Sequence, residues 1–346
     1  MKNNILLFAL SLFLMVSCSD WTEVESIELK QPNFAEQNPE LYAQYTQGLR
    51  DFKKSDHKAT YVFFDNSVKQ PTSRAHHITD LPDSIDVISL SNYTDLEEWE
   101  LEDIKEVQEV KGTKVIFTLD FDAIKRGYNI MVDDLNNMNL EEGEEKPEIP
   151  TFISVLIDAV NEALPSINKY NLDGISVAYK GKAINHMTEI EKQEHINYEN
   201  AFIKIAQDWQ ERNSDKIIVF EGNPQNLIDN SILEKCEHIL LSTVDAKDSS
   251  RLSYLLNTAT TENVPTDKFV IVTETTSLDV ADDKTGYWAN GTRAIQNSAE
   301  WILAPQAGHD IAGIAIKDVR NDYFNPTQSY MYTRMAINTI NPSPKK

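Results

Sequence analysis

The segment Asn171-Leu-Asp-Gly-Ile-Ser-Val-Ala-Tyr-Lys-Gly181 decides the fold of this 346-residue chain. Residues 174–179 form a short and nearly continuous apolar run, and a polar loop begins at Lys180. Such a run is typical of a strand buried on both faces, as the strands of parallel sheets are. Residues 151–169, just before it, carry apolar side chains close to helical spacing. The segment is therefore predicted to be one strand of a repeating strand–helix protein.

Seven other apolar runs resemble this strand in length and in their content of Val and Ile. The eight predicted strands are 59–64, 84–90, 114–119, 174–179, 216–220, 238–242, 269–273 and 312–316. The predicted helices are 39–53, 96–110, 151–169, 186–212, 228–236, 250–262, 292–305 and 328–340. Eight strands with interleaved helices predict an α/β fold, a single (β/α)8 TIM barrel.

An open, doubly wound sheet is the rival fold. It is disfavoured because that fold places a glycine-rich phosphate loop after its first strand, whereas Phe64-Asp-Asn-Ser-Val68 contains no glycine. Residues 136–150 (NNMNLEEGEEKPEIP) are acidic and follow the third strand. They are predicted to be a solvated insertion over the C-terminal face, where the active sites of barrels lie.

The N-terminus predicts the cellular location of the protein. After Lys2 and an apolar run at 5–16, Met15-Val-Ser-Cys18 resembles the lipobox of bacterial lipoproteins. The acidic residues after Cys18 resemble the signal that sends lipoproteins of Bacteroides-like bacteria to the outer face of the outer membrane. A plain secretory signal with an incidental cysteine is the alternative. We expect a signal peptide at 1–17, a lipidated Cys18 and tether at 18–38, and the barrel at 39–346.

Charge and cysteine content exclude several classes of ligand. The formal net charge of −23 argues against nucleic acid, because phosphate binding needs the opposite sign. Once Cys18 is lipidated, Cys236 is the one cysteine left, so no intramolecular disulfide is expected and Cys236 is predicted to be buried. The few Cys and His residues argue against a structural zinc site. We expect no cofactor and no metal.

Leu172-Asp-Gly-Ile175 resembles the fourth strand of family-18 glycoside hydrolases, which carry the pattern Asp-Gly-x-Asp-x-Asp-x-Glu there. Residues 81–90, 110–117 and 313–316 resemble the second, third and eighth strands of the endo-β-N-acetylglucosaminidase-like branch of that family. The resemblance covers most of 39–341. It implies a TIM barrel and, as ligands, the N-linked glycans of glycoproteins.

The resemblance fails where the family performs its chemistry. Asp173 and Gly174 match, but Ser176 and Ala178 stand where the family has Asp, and Lys180 stands where it has the acid. In the family, that Glu protonates the leaving oxygen while an Asp orients the substrate's own acetamido nucleophile. An ammonium cannot replace a carboxylic acid in this role. The chain is therefore predicted to be a pseudo-enzyme without catalytic residues.

Hydrolysis by a displaced acid is the alternative, because Asp120, Glu221 and Glu274 lie at other strand ends. Val272-Thr-Glu274 resembles the nucleophile strand of retaining barrel glycosidases, which need a second carboxyl group about 5 Å away. The usual place of that second group is where Lys180 stands. The preferred interpretation is that Glu221 and Glu274 accept hydrogen bonds from sugar hydroxyls or pair with Lys180 and Lys317.

Aromatic, amide and charged side chains at the strand ends predict a glycan-binding rim. The predicted contact residues are Phe64, Asp65, Asn66, Asn92, Tyr93, Asp120, Tyr179, Lys180, Glu221, Asn223, Glu274, Tyr287, Trp288, Lys317, Asp318, Arg320, Asp322 and Tyr323. Packing explains single members equally well. Phe64 can cap the core, and Tyr287 and Trp288 can pack on the following helix.

Three functions remain open. The first is a non-catalytic surface lipoprotein that captures N-linked glycans, with the high-mannose type favoured, beside a TonB-dependent transporter and companion lipoproteins. The second is an active endo-β-N-acetylglucosaminidase that uses a displaced carboxylate. The third is an interaction protein whose barrel docks a transporter and has no sugar site.

Overall fold

The structure is a computed structural model that describes residues 34–138, 147–304 and 309–342. Its contacts divide the chain into residues 1–45 and 46–346. In the first unit the described residues contain helix α1 (Phe34–Gln37) and the beginning of helix α2 (Pro39–Lys54). Residues 34–37 of the predicted tether are helical. Its remaining part up to residue 33, the predicted signal peptide and Cys18 lie outside the described residues.

In the described part of the second unit, eight parallel strands close into a barrel in chain order. The strands are β1 (Ala59–Phe64), β2 (Val87–Leu90), β3 (Lys114–Asp120), β4 (Gly174–Tyr179), β5 (Ile217–Gly222), β6 (Ile239–Leu241), β7 (Phe269–Glu274) and β8 (Gly313–Lys317). β8 pairs with β1, with Ala59 opposite Gly313. The predicted (β/α)8 fold is confirmed. The doubly wound alternative is wrong, because an open sheet leaves its edge strands unpaired.

Alternation along the strands divides the apolar core into two layers. One layer fills the barrel and consists of Ala59, Tyr61, Val87, Ile116, Val219, Leu240, Val270, Val272 and Ala315. The other lies between the strands and the helices and includes Val62 and Phe64. In β1, Phe63 thus shares the interior face with Tyr61, while Phe64 faces the helices. This parity decides which strand-end side chains reach the mouth of the barrel.

Helices cover the outside of the strands. They are α3 (Glu98–Glu109), α4 (Phe121–Asn137), α5 (Phe152–Lys169), α6 (Glu189–Arg212), α7 (Ile232–Lys235), α8 (Ser249–Ala259), α9 (Ala294–Leu303) and α10 (Met331–Ile340). The helix predicted at 228–236 is reduced to the single turn of α7. None of the helices in the described ranges has the length and apolarity needed to cross a membrane.

Helix α4 is absent from the sequence-based prediction. Its first turn is capped by Asp120, whose carboxylate accepts a hydrogen bond from the backbone N–H of Ala123 at 3.0 Å. Its apolar side chains recur at helical spacing, at residues 121, 124, 128, 131 and 135, so the sequence does carry the period that marks a helix. The helix runs to Asn137. The predicted acidic loop therefore begins at Met138 and not at residue 136, and residues 139–146 of it lie outside the described residues.

Cys236 is buried, as predicted, and it forms no disulfide within the part of the chain that the structure describes. Burial raises the pKa of its thiol to about 12. A thiol held in this protonated form is a poor nucleophile, so Cys236 has a packing role.

His57 and Asp86 form an ion pair before the N-terminal ends of the first two strands, with 2.9 Å between Nε2 and Oδ1. The second oxygen of Asp86 accepts the N–H of Thr60 in β1 at 2.8 Å. The hydrogen bond with Asp86 raises the pKa of His57 above 6.5, its ordinary value. The pair therefore stabilises the fold fully below that ordinary value, and the stabilisation is lost as the pH rises through the folded-state pKa.

We expect His57→Gln to lower the free energy of unfolding by about 1 kcal/mol more at about pH 5.5 than at about pH 8.5. Urea denaturation of both proteins at each pH measures this difference. Comparison with wild type cancels the opposing effect of His195 and His238, whose pKa values are lowered by burial. An equal loss at both pH values would show that the pair does not titrate in this range.

Candidate functional site

β4 and the residue after it contain the three positions that differ from the family-18 pattern. Ser176 and Ala178 face the barrel interior, because they alternate with Val177 and Tyr179 of the outer layer. The Ser176 hydroxyl is buried and has no hydrogen-bond partner within the described ranges. Lys180 lies just beyond the strand with its side chain exposed. A hydroxyl, a methyl and an ammonium therefore stand where the pattern has three carboxyl groups.

The two matching residues of the pattern have structural roles. Asp173 Oδ2 accepts hydrogen bonds from the backbone N–H of Val115 at 2.7 Å and from Gln108 Nε2 at 2.8 Å. A Cβ atom at Gly174 would lie 2.0 Å from the carbonyl oxygen of Ile217 in β5, so no side chain fits there. The Asp-Gly pair thus joins β4 to its neighbours, and its presence says nothing about catalysis.

The backbone at Lys180 is held in place. Its carbonyl oxygen accepts hydrogen bonds from Asn226 Nδ2 at 2.8 Å and from Asn223 Nδ2 at 3.2 Å. The next residue, Gly181, has φ +58°, in the left-handed region that favours glycine. The Lys180 ammonium has no ion-pair partner among the residues that the structure describes. The position is therefore rigid while its charged group is free.

An ion pair crosses the barrel interior at the mouth. Glu221 lies opposite Ala178 near the end of β5, and its Oε1 lies 2.6 Å from the Nζ of Lys317 in β8. β5 and β8 are not neighbours in the barrel, so this contact spans the interior. Lys317 Nζ also lies 4.8 Å from the centroid of the Phe63 ring, within cation–π range. The other Glu221 oxygen is buried and without a partner in the described structure.

Glu274, Asp65 and Asp120 also have partners. Glu274 Oε1 lies 3.6 Å from Lys247 Nζ, and Asp65 Oδ2 lies 2.9 Å from the Arg320 guanidinium. Asp120 caps helix α4. A carboxylate in an ion pair or a helix cap accepts hydrogen bonds and has no proton to give. The expected pairing of Glu221 with Lys317 is present, whereas Glu274 pairs with Lys247 and with neither of the lysines considered from the sequence.

Two predicted contact residues, one at the end of β1 and one just after it, do not reach the mouth. Phe64 is fully buried in the outer core layer. Asn66 is buried too, and its amide nitrogen donates to the carbonyl of Asn92 at 2.9 Å and to Glu100 Oε1 at 2.8 Å. Both predicted sugar contacts are therefore wrong. Phe63 is the ring at the mouth, and the two-residue period of β1 could have identified it.

Tyr179 and Asp322 are also corrections. The Tyr179 hydroxyl lies 3.0 Å from His195 Nδ1 in the helical layer, where the tyrosine is buried. Asp322 precedes α10 and is buried against its first turn, where its Oδ2 accepts the N–H of Thr333 at 2.7 Å. Neither side chain is available to a glycan.

Two further tyrosines of the predicted rim are half-buried and pack on the core. Tyr93 stacks on Phe117 with ring centroids 4.1 Å apart, and Tyr323 meets Tyr330 edge-on at 5.5 Å. Asp318 is exposed. The two tyrosine rings therefore offer a ligand less surface than the sequence suggests.

The loop between β7 and α9 forms an open cleft of about 750 Å³ with the loop after β6. Tyr287 and Trp288 both line this cleft, and their contact with a sugar stays a prediction. Lys247 also lines the cleft. Nothing in the sequence around Lys247 indicates this role, because its neighbours in the cleft come from a distant loop. Within the described ranges, no group of three or more His, Cys, Asp or Glu side chains is arranged to hold a metal ion.

The fold and the site define a (β/α)8 barrel with its candidate site at the C-terminal ends of the strands, the architecture of many carbohydrate-active proteins. The profile of glycoside hydrolase family 18, BT1044-like, matches residues 22–339. The chain belongs to this family.

Several solved structures share this fold. A structure of BT1044 has a TM-score of 0.62 at 20% identity, and the match covers 89% of this chain and 95% of that one. The endo-beta-N-acetylglucosaminidase of Cordyceps militaris has a TM-score of 0.57 at 14% identity, with 86% and 96% covered. YKL-39, solved in the presence of chitooligosaccharides, has a TM-score of 0.51 at 12% identity, with 82% and 100% covered. No curated protein sequence matches this chain.

Proposed function

We propose that the protein binds oligosaccharides without hydrolysing them. One observation carries this proposal: positions 176, 178 and 180, where family 18 has carboxyl groups, have none here. The carboxylates of Asp120, Glu221 and Glu274 at other strand ends already pair with other groups. A site that binds a sugar without an acid to stabilise the transition state gives no rate. The alternative of hydrolysis by a displaced acid is disfavoured for the same reason.

Membership of the family supports the proposed ligand class. Members of glycoside hydrolase family 18 act on sugars, and the relative from Cordyceps militaris is named an endo-beta-N-acetylglucosaminidase. N-linked glycans contain N-acetylglucosamine, so we propose them as ligands, with the neutral high-mannose type first. The lipobox-like residues 15–18 support a lipid-anchored protein on the outer membrane that presents captured glycans to a TonB-dependent transporter.

Retention and release of glycan separate binding from hydrolysis. We expect the full-length protein to retain a high-mannose glycoprotein on a column, and mass spectrometry of the flow-through to find no free glycan. The same glycoprotein after enzymatic deglycosylation is the matched control and should pass through. Released glycan would overturn the proposal, and equal retention of both forms would show that the protein recognises polypeptide.

Restoring the acid alone is not expected to restore hydrolysis. In Lys180→Glu, the residues that orient and support the acetamido group would still be Ala178 and Ser176, so glycan release should stay at background. Release assays on Lys180→Glu and on the isosteric Lys180→Gln measure this directly. Turnover in the Glu variant above that of the Gln variant would show that the two other positions are dispensable.

A further inference from the structure

We propose that the oligosaccharide binds off the barrel axis, in the cleft formed by the loops after β6 and β7, with Trp288 as its main platform. This inference rests on the proposed function and names the site where it occurs. Sequence reasoning places the floor of the site at β4 and Lys180, so the two locations give different mutational results.

The axial position is closed by side chains. Glu221 and Lys317 meet across the interior in the row of Ala178, and the Lys317 ammonium lies over Phe63. A sugar ring that sank to this depth would have to separate an ion pair whose Glu221 side chain is 11% exposed. Breaking such a pair leaves a poorly hydrated charge, which is strongly unfavourable. The centre of the mouth is therefore a floor that a ligand can touch and not a pocket that it can enter.

The off-axis cleft has the size and the lining that a glycan requires. Its volume of about 750 Å³ lies within the range of about 300 to 1,000 Å³ typical of ligand sites. The Arg293 guanidinium lies 5.3 Å from the Tyr287 ring, so one face of that ring is covered and at most one is left for a sugar. The indole N–H of Trp288 has no partner among the described residues and can donate to a hydroxyl.

The cleft is held in shape before any ligand arrives. Glu274 Oε1 accepts the N–H of Gly286 at 3.1 Å and lies near the Lys247 ammonium. The Lys247 carbonyl in turn accepts the N–H of Ala289 at 2.9 Å, which ties the two loops together. Glu274, considered from the sequence as a nucleophile, therefore acts as a positioning residue for the wall that contains Trp288. A wall fixed in advance loses less entropy when a sugar binds.

The charges around the cleft favour a neutral sugar. Asp279, Asp282 and Asp283 line it together with Lys284 and with Lys247, whose ammonium is already shared with Glu274. Hydrogen bonds from Thr285 lower the pKa of Asp282 to about 2, so this carboxylate is ionised at neutral pH. Acidic side chains accept hydrogen bonds from sugar hydroxyls and repel a carboxylate or sulfate. The inferred ligand is thus an uncharged oligosaccharide such as a high-mannose N-glycan.

Calorimetric titration of full-length protein with a released high-mannose N-glycan tests the location. We expect Trp288→Ala to weaken binding at least about tenfold, as loss of a central aromatic contact does. Tyr254→Ala removes an exposed aromatic ring, 58% accessible and outside the cleft, and should bind as wild type does. Trp288→Phe keeps a ring in the wall and should lie between them, which guards against a folding defect in the alanine variant.

The outcomes separate the two proposals. Wild-type affinity in Trp288→Ala with loss of binding in Lys180→Ala would overturn the off-axis site and leave the binding function standing. Failure of wild-type protein to bind the high-mannose glycan or chitotetraose would remove the binding function and the inferred site with it. A sialylated complex N-glycan that binds more tightly than its desialylated form would overturn the inference of a neutral ligand.

Discussion

Replacing Gly174 with alanine is expected to lower the free energy of unfolding by about 3 kcal/mol or more. The added Cβ would lie 2.0 Å from the carbonyl oxygen of Ile217 and 2.7 Å from the Cγ1 of the same residue. That carbonyl is part of the neighbouring strand, so it cannot rotate away as a side chain would. β4 and β5 would have to separate where β4 begins.

Gly127→Ala is the matched control for this prediction. Gly127 lies on the exposed surface of α4, and a Cβ there would meet nothing within 4 Å. Because alanine is the better helix former, we expect a gain of about 1 kcal/mol. Urea denaturation followed by circular dichroism measures both variants. An unfolding midpoint for Gly174→Ala equal to that of wild type would mean that the strands can shift at little cost.

Gly286→Ala is expected to abolish measurable glycan binding while the barrel remains folded. Gly286 has φ +75°, and a Cβ would lie 2.5 Å from both the carbonyl oxygen of Thr275 and the nitrogen of Thr276. The loop would have to move away from β7 and lose the hydrogen bond between Gly286 and Glu274. Because Trp288 follows two residues later, the wall of the cleft would move with it.

Gly291→Ala separates the effect of the steric clash from the effect of the left-handed backbone conformation. Gly291, at the edge of the same cleft, has a similar φ of +78°, yet a Cβ there would meet nothing within 4 Å. It therefore carries the left-handed penalty of about 1–2 kcal/mol without the clash. Calorimetry should find a clearly smaller loss of affinity than in Gly286→Ala, with unchanged circular dichroism in both. Equal losses would mean that backbone strain alone accounts for the result.

The strands could be predicted because each is an uninterrupted apolar run, and burial on both faces needs no knowledge of the partner strand. Helix α4 could have been predicted as well, because Phe121, Ile124 and Tyr128 begin a run of apolar side chains at helical spacing. Its start is also marked by Asp120, which the sequence-based interpretation assigns to sugar binding and which caps the helix. Local capping and ligand contact use the same side chains, so composition alone does not separate them.

The site was predicted less completely, for two physical reasons. Proximity to a strand end does not distinguish the two faces of a strand, whereas alternation sends Phe64 and Tyr179 outward and leaves Phe63 inside. The two-residue period of each strand is enough to make this distinction from the sequence. The pairing of Glu274 with Lys247 could not have been foreseen, because side chains of different loops meet only after the barrel has closed.

The Glu221–Lys317 pair also bears on any redesign of this barrel toward the full family-18 pattern. Substitutions at positions 176, 178 and 180 would supply the carboxyl groups of that pattern, but a substrate would still need the space that Lys317 occupies above Phe63. Removing Lys317 first leaves Glu221 without its partner in a poorly hydrated position, which is unfavourable. Neither the added carboxyl groups alone nor the loss of Lys317 alone is therefore expected to give a working site. A redesign toward hydrolysis should exchange Lys317 and Glu221 together before any acid is introduced.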